Sequence, residues 1–211
     1  MPTAASAVLE PRKQPRQARS QVTVDAVFEA TIQVLLNDGP QRLTTTRVAD
    51  RAGVSVGTLY QYYPNKQALL YAVLQRHLAR VEETVAAAAR AMHHAPLAAM
   101  VAAVVEAFVR AKTERIEEAR ALYAVASGLD SVELVKMVGK RNRAAISAML
   151  ATASDALFDD LALTSFMFSA AMAGATRAML EGGAPPKMLR ALRDQLESLC
   201  LAYLVREASP R

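Results

Sequence analysis

The stretch that decides the fold runs from Thr44 to Leu70, TTTRVADRAGVSVGTLYQYYPNKQALL. Thr44 can accept a hydrogen bond from an unpaired first-turn amide, which predicts a helix start there. The short helix that follows carries Val48, Ala49 and Ala52 inward. Gly53 stops it, because a residue without a Cβ turns the chain left-handed at no steric cost. Ser55 then caps a second short helix that passes through Leu59 to about Tyr62 and is closed by Pro64 and Asn65. From Lys66 a long amphipathic helix, with Leu69, Leu70, Val73, Leu74, Leu78, Val81 and Val85 on one face, reaches about Ala91.

Upstream, Val24, Val27, Phe28, Thr31, Ile32, Leu35 and Leu36 recur at helical spacing, ended by Asn37-Asp38-Gly39-Pro40. Two short helices joined at Ala52-Gly53-Val54 and backed by this first helix match the helix-turn-helix pattern, whose second short helix enters the DNA major groove. A groove about 12 Å wide accepts one helix. Ser55, Val56, Gly57, Thr58, Tyr60 and Gln61 cluster at the start of that helix. Gly57 is costly inside a helix, so it marks either close approach to a phosphate or base edge, or close helix packing. Tyr62, Tyr63 and Lys66 lie at the helix end, where a phenol and an ammonium reach backbone phosphates. Tyr63, four residues after Leu59, is equally placed to pack inward.

The 44–70 string resembles the DNA-binding domain of the TetR-like family of transcriptional repressors. The likeness covers roughly residues 20 to 75: Ala49, Ala52-Gly53-Val54-Ser55, Gly57-Thr58-Leu59-Tyr60, Tyr62-Tyr63, then Asn65-Lys66 before Leu69. Tyr63 stands where Phe is commoner in the family, and Asn65 where Ser often occurs. The resemblance implies an all-α homodimer with a three-helix DNA reader and a C-terminal domain for ligand sensing and dimerisation. It further implies that Thr45, Thr58, Tyr62 and Lys66 touch phosphates, while Ser55, Val56, Gly57, Tyr60 and Gln61 face the groove.

Composition agrees with an all-helical protein. The chain has 211 residues, 53% hydrophobic and only 5% aromatic, with Ala-rich runs such as Thr84 to Ala91. The lone Cys200 forms no intrachain bridge, and 3 His with 1 Cys show no zinc spacing. No metal or cofactor is expected. No leader-like N-terminus or stretch of 18 apolar residues appears, so a cytoplasmic protein without membrane contact is expected. Lys and Arg number 25 against 20 Asp and Glu, for a net +5. Residues 1 to 66 hold eight basic and five acidic side chains, net +3, and the remainder seventeen and fifteen, net +2. The positive density is therefore N-terminal. Part of it, Arg12, Lys13, Arg16 and Arg19, sits in a Pro-rich segment, residues 1–19, that has no reason to fold alone. By itself it reads as a solubilising tail; beside a DNA reader it reads as a mobile basic arm.

The expected domains are thus the arm, 1–19, the DNA-binding domain, 20–66, and a larger helical domain, 67–211. Punctuation predicts helices at Leu97 to Ala111, Glu114 to Ala126, Ser131 to Ser154, Leu161 to Leu180 and Pro186 to Glu207, and no strand. Within the larger domain Met92, His93, Phe108, Tyr123, Met137, Arg141, Asn142, Phe166 and Arg177 are candidates to line an effector pocket, or else ordinary core. The resemblance implies that the last two helices pair with their copies, through Phe168, Ala171, Met172, Ala175, Leu189, Leu192, Leu196 and Leu199. Two-fold pairing predicts a palindromic operator. An enzyme is not expected: there is no nucleophile elbow, Walker loop, dinucleotide fingerprint or HExxH. The adjacent pairs Glu82-Glu83, Glu117-Glu118 and Asp159-Asp160 read as solvated helix surface.

Overall fold

The structure, a computed structural model, describes residues 18–126, 128–129 and 131–211. Among them run nine helices: α1 Ala18–Arg42, α2 Thr45–Ala52, α3 Val56–Tyr62, α4 Lys66–Ala91, α5 Leu97–Thr113, α6 Ile116–Ala126, α7 Val132–Leu150, α8 Leu161–Glu181 and α9 Pro186–Glu207. Of the expected basic arm, Arg12, Lys13 and Arg16 lie outside the described residues, while Ala18 and Arg19 already belong to α1. None of the described helices is long and apolar enough to cross a membrane.

Local chemistry explains where the first helices begin and end. α1 breaks at Gly39, whose φ of 77° and ψ of 169° suit glycine alone, and Pro40 follows. Val24, Val27, Phe28, Thr31, Ile32 and Leu35 are buried as the periodicity requires, and the Thr31 hydroxyl donates to the Val27 carbonyl at 2.7 Å. Leu36, expected on the same face, is exposed, because it falls about 100° beyond Leu35 at the edge of the stripe.

The chain divides into two compact units. The first holds the described residues up to His77 together with Glu117–Glu133; the second holds Leu78–Ile116 and Leu134–Arg211. α4 therefore begins in one unit and ends in the other, and α6 counts almost wholly with the first. In the first unit Leu43, Val48, Ala49, Leu59, Leu69, Ala119 and Leu122 are fully buried.

The second unit has one apolar core, fed by Val81 and Val85 of α4, Met100, Val101, Val104 and Val105 of α5, Ile146 and Met149 of α7, and α8 and α9. Phe168, Met172, Leu192 and Leu196 belong to this core, each at most 2% exposed. That corrects the expectation that they form the seam between two copies: a side chain with no accessible area has none to bury against a partner. Each contributes about 1.5–3 kcal/mol to the chain's own fold instead. Ala171, Ala175 and Leu189 are half-buried, and Leu199 is 56% exposed.

Two further departures have tertiary causes. α7 ends at Leu150 rather than Ser154, because the following residues serve the turn between α4 and α5. The Thr152 hydroxyl accepts from the His94 amide at 3.0 Å, Asp155 accepts from the Leu97 amide at 2.8 Å, and the Ser154 amide donates to Ala95 at 3.1 Å. Two short strands also occur, β1 Ala156–Phe158 and β2 Ala208–Pro210, antiparallel with Leu157 opposite Ser209. Three residues are too few to show alternation, so the sequence carries no sign of them.

Candidate nucleic-acid interface

α2 and α3 are positioned by their caps. Thr44 accepts from the Arg47 amide at 3.2 Å at the start of α2, and Ser55 accepts from the Thr58 amide at 3.0 Å at the start of α3. Between them Gly53 adopts φ 67°, and the Val54 amide returns to the Ala49 carbonyl at 3.0 Å. The bend so fixed turns Val48, Ala49 and Leu59 into the core and leaves the start of α3 facing solvent. Asn65 caps α4, its Oδ1 accepting from the Ala68 amide at 2.7 Å. Asn and Ser cap equally well, which explains why either serves at this position.

The predicted contact residues divide by exposure. Ser55, Gly57, Tyr60 and Gln61 are exposed; Thr45, Val56, Thr58 and Lys66 are half-buried; Tyr62 is buried, 7% exposed. The Ser55 and Thr58 hydroxyls lie 2.8 Å apart, and those of Thr45 and Tyr60 3.1 Å apart, so α2 and α3 share one hydroxyl-lined rim. Gly57 is not there for close packing: a Cβ on it would meet only Ser55 Oγ, at 3.7 Å. Tyr63 does pack inward, its ring 5.7 Å from that of Phe28.

Electrostatics favour an anion on this rim. The first turns of α2 and α4 contain no acidic residue, and each is capped by a neutral side chain, Thr44 or Asn65, so the positive ends are not neutralised from within the turn. Lys66 sits in the first turn of α4, where a cation is locally unfavourable, and an external phosphate would offset that. Sequence reasoning passed over Thr46 and Arg47, which are exposed on α2 next to Thr45. The Arg47 guanidinium pairs with Asp38 at 3.0 Å, and Arg51 donates to Gln33 at 2.7 Å, both binding α2 back to α1. The run Thr44-Thr45-Thr46-Arg47 was the available signal.

This geometry coincides with a family pattern over both parts of the chain. Residues 27–73 match the bacterial regulatory proteins of the tetR family, and residues 96–204, just over half of the chain, match the tetracyclin repressor-like C-terminal domain. The chain belongs to the TetR family. As a member it is a regulatory protein rather than an enzyme. The HTH-type transcriptional repressor KstR of Mycobacterium tuberculosis is 39% identical over 56 residues, 26% of each chain. The chain thus spans about a quarter to a third of the length of the curated relatives it matches. Among solved structures, a chain from Mesorhizobium loti assigned to the TetR family has a TM-score of 0.71 at 13% identity, covering 92% of this chain and 100% of that one. A TetR transcription regulator from Haloarcula marismortui has 0.69 at 16%, covering 90% and 100%. At such identities the likeness speaks for the TetR fold.

The candidate effector residues scatter. Phe108 is buried in the second unit's core with Met92 packed against it, and Asn142 is half-buried. Tyr123, also half-buried, belongs to the first unit. His93, Met137, Arg141, Phe166 and Arg177 are exposed. Arg141 pairs with Glu82 at 3.5 Å, Arg177 with Glu181 at 2.8 Å, and Phe166 lies under the Arg143 guanidinium at 5.3 Å. Helical periodicity alone does not separate an inward face from an outward apolar one. Among the described residues no group of three or more His, Cys, Asp or Glu is placed to hold a metal.

Proposed function

We propose that this TetR-family protein is a repressor that binds a palindromic operator as a homodimer in the cytoplasm and is released by a small apolar or amphipathic effector. The observation that carries the reading is the open start of α3, where Ser55, Gly57, Tyr60 and Gln61 are exposed and no side chain covers Gly57 more closely than Ser55 at 3.7 Å. In this reading residues 20–66 read DNA, residues 1–19 add a basic arm, and residues 67–211 pair and sense. Ser55, Val56, Gly57, Tyr60 and Gln61 face the groove; Thr45, Thr58 and Lys66 hold phosphates, with Tyr62 contributing only its phenol tip. KstR is named a repressor, which favours that sign of control.

Dimerisation falls to the outward stripes of the last two helices. Leu163, Phe166 and Met167 on α8 and Leu199 and Val205 on α9 are exposed, with Ala170, Ala173 and Gly174 among them allowing close approach. A two-fold dimer that reads successive turns of one operator needs its two α3 helices about 34–36 Å apart, one DNA turn. For the effector, the supporting observation is Asn142, whose Oδ1 is buried without a hydrogen-bond partner. A largely apolar molecule with one donor group would satisfy it.

Selection of bound duplexes from a random pool tests the reading. A two-fold symmetric site is expected. Lys66→Ala should weaken binding to all sequences alike and lower the salt slope by about one, while Gln61→Ala should shift sequence preference. Recovery of no enriched sequence would reject the operator reading.

A further inference from the structure

Arg47 and Asp38 form an ion pair across nine positions of the chain, Nη1 to Oδ2 at 3.0 Å. The break of α1 at Gly39 turns the chain back toward α2, which brings the carboxylate just before the break to the third residue of α2. Both side chains stay open to solvent, 51% and 34% exposed. An exposed pair of this kind contributes little to stability, since water screens it and two flexible side chains must be held still. What it does is keep one guanidinium in one place.

That place adjoins the proposed DNA contact. Arg47 follows Thr45 and Thr46 in the first turn of α2, and the Thr45 hydroxyl is the one that meets Tyr60 of α3. Two other cations stand at the ends of neighbouring helices, the exposed Arg42 closing α1 and the half-buried Lys66 opening α4, and among the described residues neither has an ion-pair partner. Of these three, only Arg47 has a carboxylate to leave before it can meet a phosphate. A phosphodiester brought to the rim competes with that carboxylate. Arginine takes a phosphate in the same forked geometry as a carboxylate, and neutralising a phosphate also releases counterions from the duplex, a gain that Asp38 does not offer. The carboxylate left behind then faces the duplex as a like charge.

We propose that Arg47 is a further phosphate contact of the reading head, that it exchanges Asp38 for the duplex when the protein binds, and that Asp38 thereby restrains DNA affinity. The inference rests on the DNA-binding reading above and adds to it an acid that works against binding.

Titration of the full chain with the selected duplex, and with a scrambled duplex of the same length, over a range of salt concentrations tests the exchange. Arg47→Ala should weaken binding to both duplexes alike and lower the salt slope by up to about one. Asp38→Asn should tighten binding to both by up to about fivefold, the most that an exposed pair ordinarily holds back, and leave the melting temperature nearly unchanged. That gain should vanish when Asp38→Asn is combined with Arg47→Ala and persist when it is combined with Lys66→Ala. Should the alanine variant unfold, Arg47→Gln keeps a polar stem without the charge and takes its place. An Arg47→Ala protein with the wild-type salt slope overturns the proposal. So does an Asp38→Asn gain of equal size with and without Arg47, which is the effect of net charge alone. No binding to either duplex by any form instead defeats the DNA-binding reading, and the exchange with it.

Discussion

Thr45 and Tyr60 stand fifteen positions apart, yet their hydroxyls meet at 3.1 Å and join the first turn of α2 to the exposed side of α3. The bond is solvent-exposed, so it adds only about 0.5–1.5 kcal/mol to stability. Its larger effect is to restrict the Tyr60 phenol to one orientation on the rim. Thr45→Val should therefore leave the melting temperature nearly unchanged and weaken operator binding several-fold. Tyr60→Phe should do the same, and the double variant should lose little more than either single one in a binding cycle. Strictly additive losses would show that the two hydroxyls act separately.

Gly57 offers a test in which stability and binding move in opposite directions. It lies in the second position of α3, and a methyl there meets nothing closer than Ser55 Oγ at 3.7 Å. Gly57→Ala should raise stability by about 0.5–1 kcal/mol, since glycine is the costlier residue in a helix. If the bare backbone approaches DNA, the same methyl must lower operator affinity. Thermal melting and fluorescence titration with the selected duplex measure both; unchanged affinity would remove Gly57 from the contact surface.

Two phenylalanines two positions apart on α8 separate pairing from folding. Phe166 is 49% exposed and Phe168 is 0% exposed. Phe168→Ala should cost about 3–5 kcal/mol, the ordinary loss for emptying a core site. Phe166→Asp should leave the unit folded but shift sedimentation from dimer to monomer and weaken binding to the full palindrome far more than to a half-site. A Phe166→Asp protein that remains dimeric would move the interface elsewhere.

What was legible in the sequence follows from how local each cause is. Thr44, Gly53, Ser55 and Pro64 act on their immediate neighbours, so the caps and turns of the reading head could be read from the string itself. The side of a helix that faces its own core is settled by distant partners. Phe168, Met172, Leu192 and Leu196 form an apolar seam in any reading, and only packing against α5 shows that this seam closes within the chain. The end of α7 depends on hydrogen bonds to the turn between α4 and α5, and the contact of His77 with Glu118 spans 41 positions. Neither leaves a local mark.

Alkaline titration reports on the two units separately. Burial pushes the Tyr63 phenol up to about 12, with the Arg76 charge opposing and Tyr62 adding to the shift. Burial likewise pushes the Cys200 thiol up to about 11. Both groups are neutral in the folded chain and ionise sooner once unfolded, near 10 and 9.0 respectively. A raised acid stabilises the fold below its unfolded pKa, and that contribution disappears as pH rises through the folded value. Stability should thus hold to about pH 9, then fall first through Cys200 in the second unit and from about pH 10 through Tyr63 in the first. Cys200→Ala should remove the earlier decline and Tyr63→Phe the later one, in urea titrations repeated across this range. At pH 8 the same burial should keep Cys200 from reacting with a thiol reagent until the second unit opens, so labelling rates should rise in step with urea. Rapid labelling of the native protein would contradict the burial of this thiol.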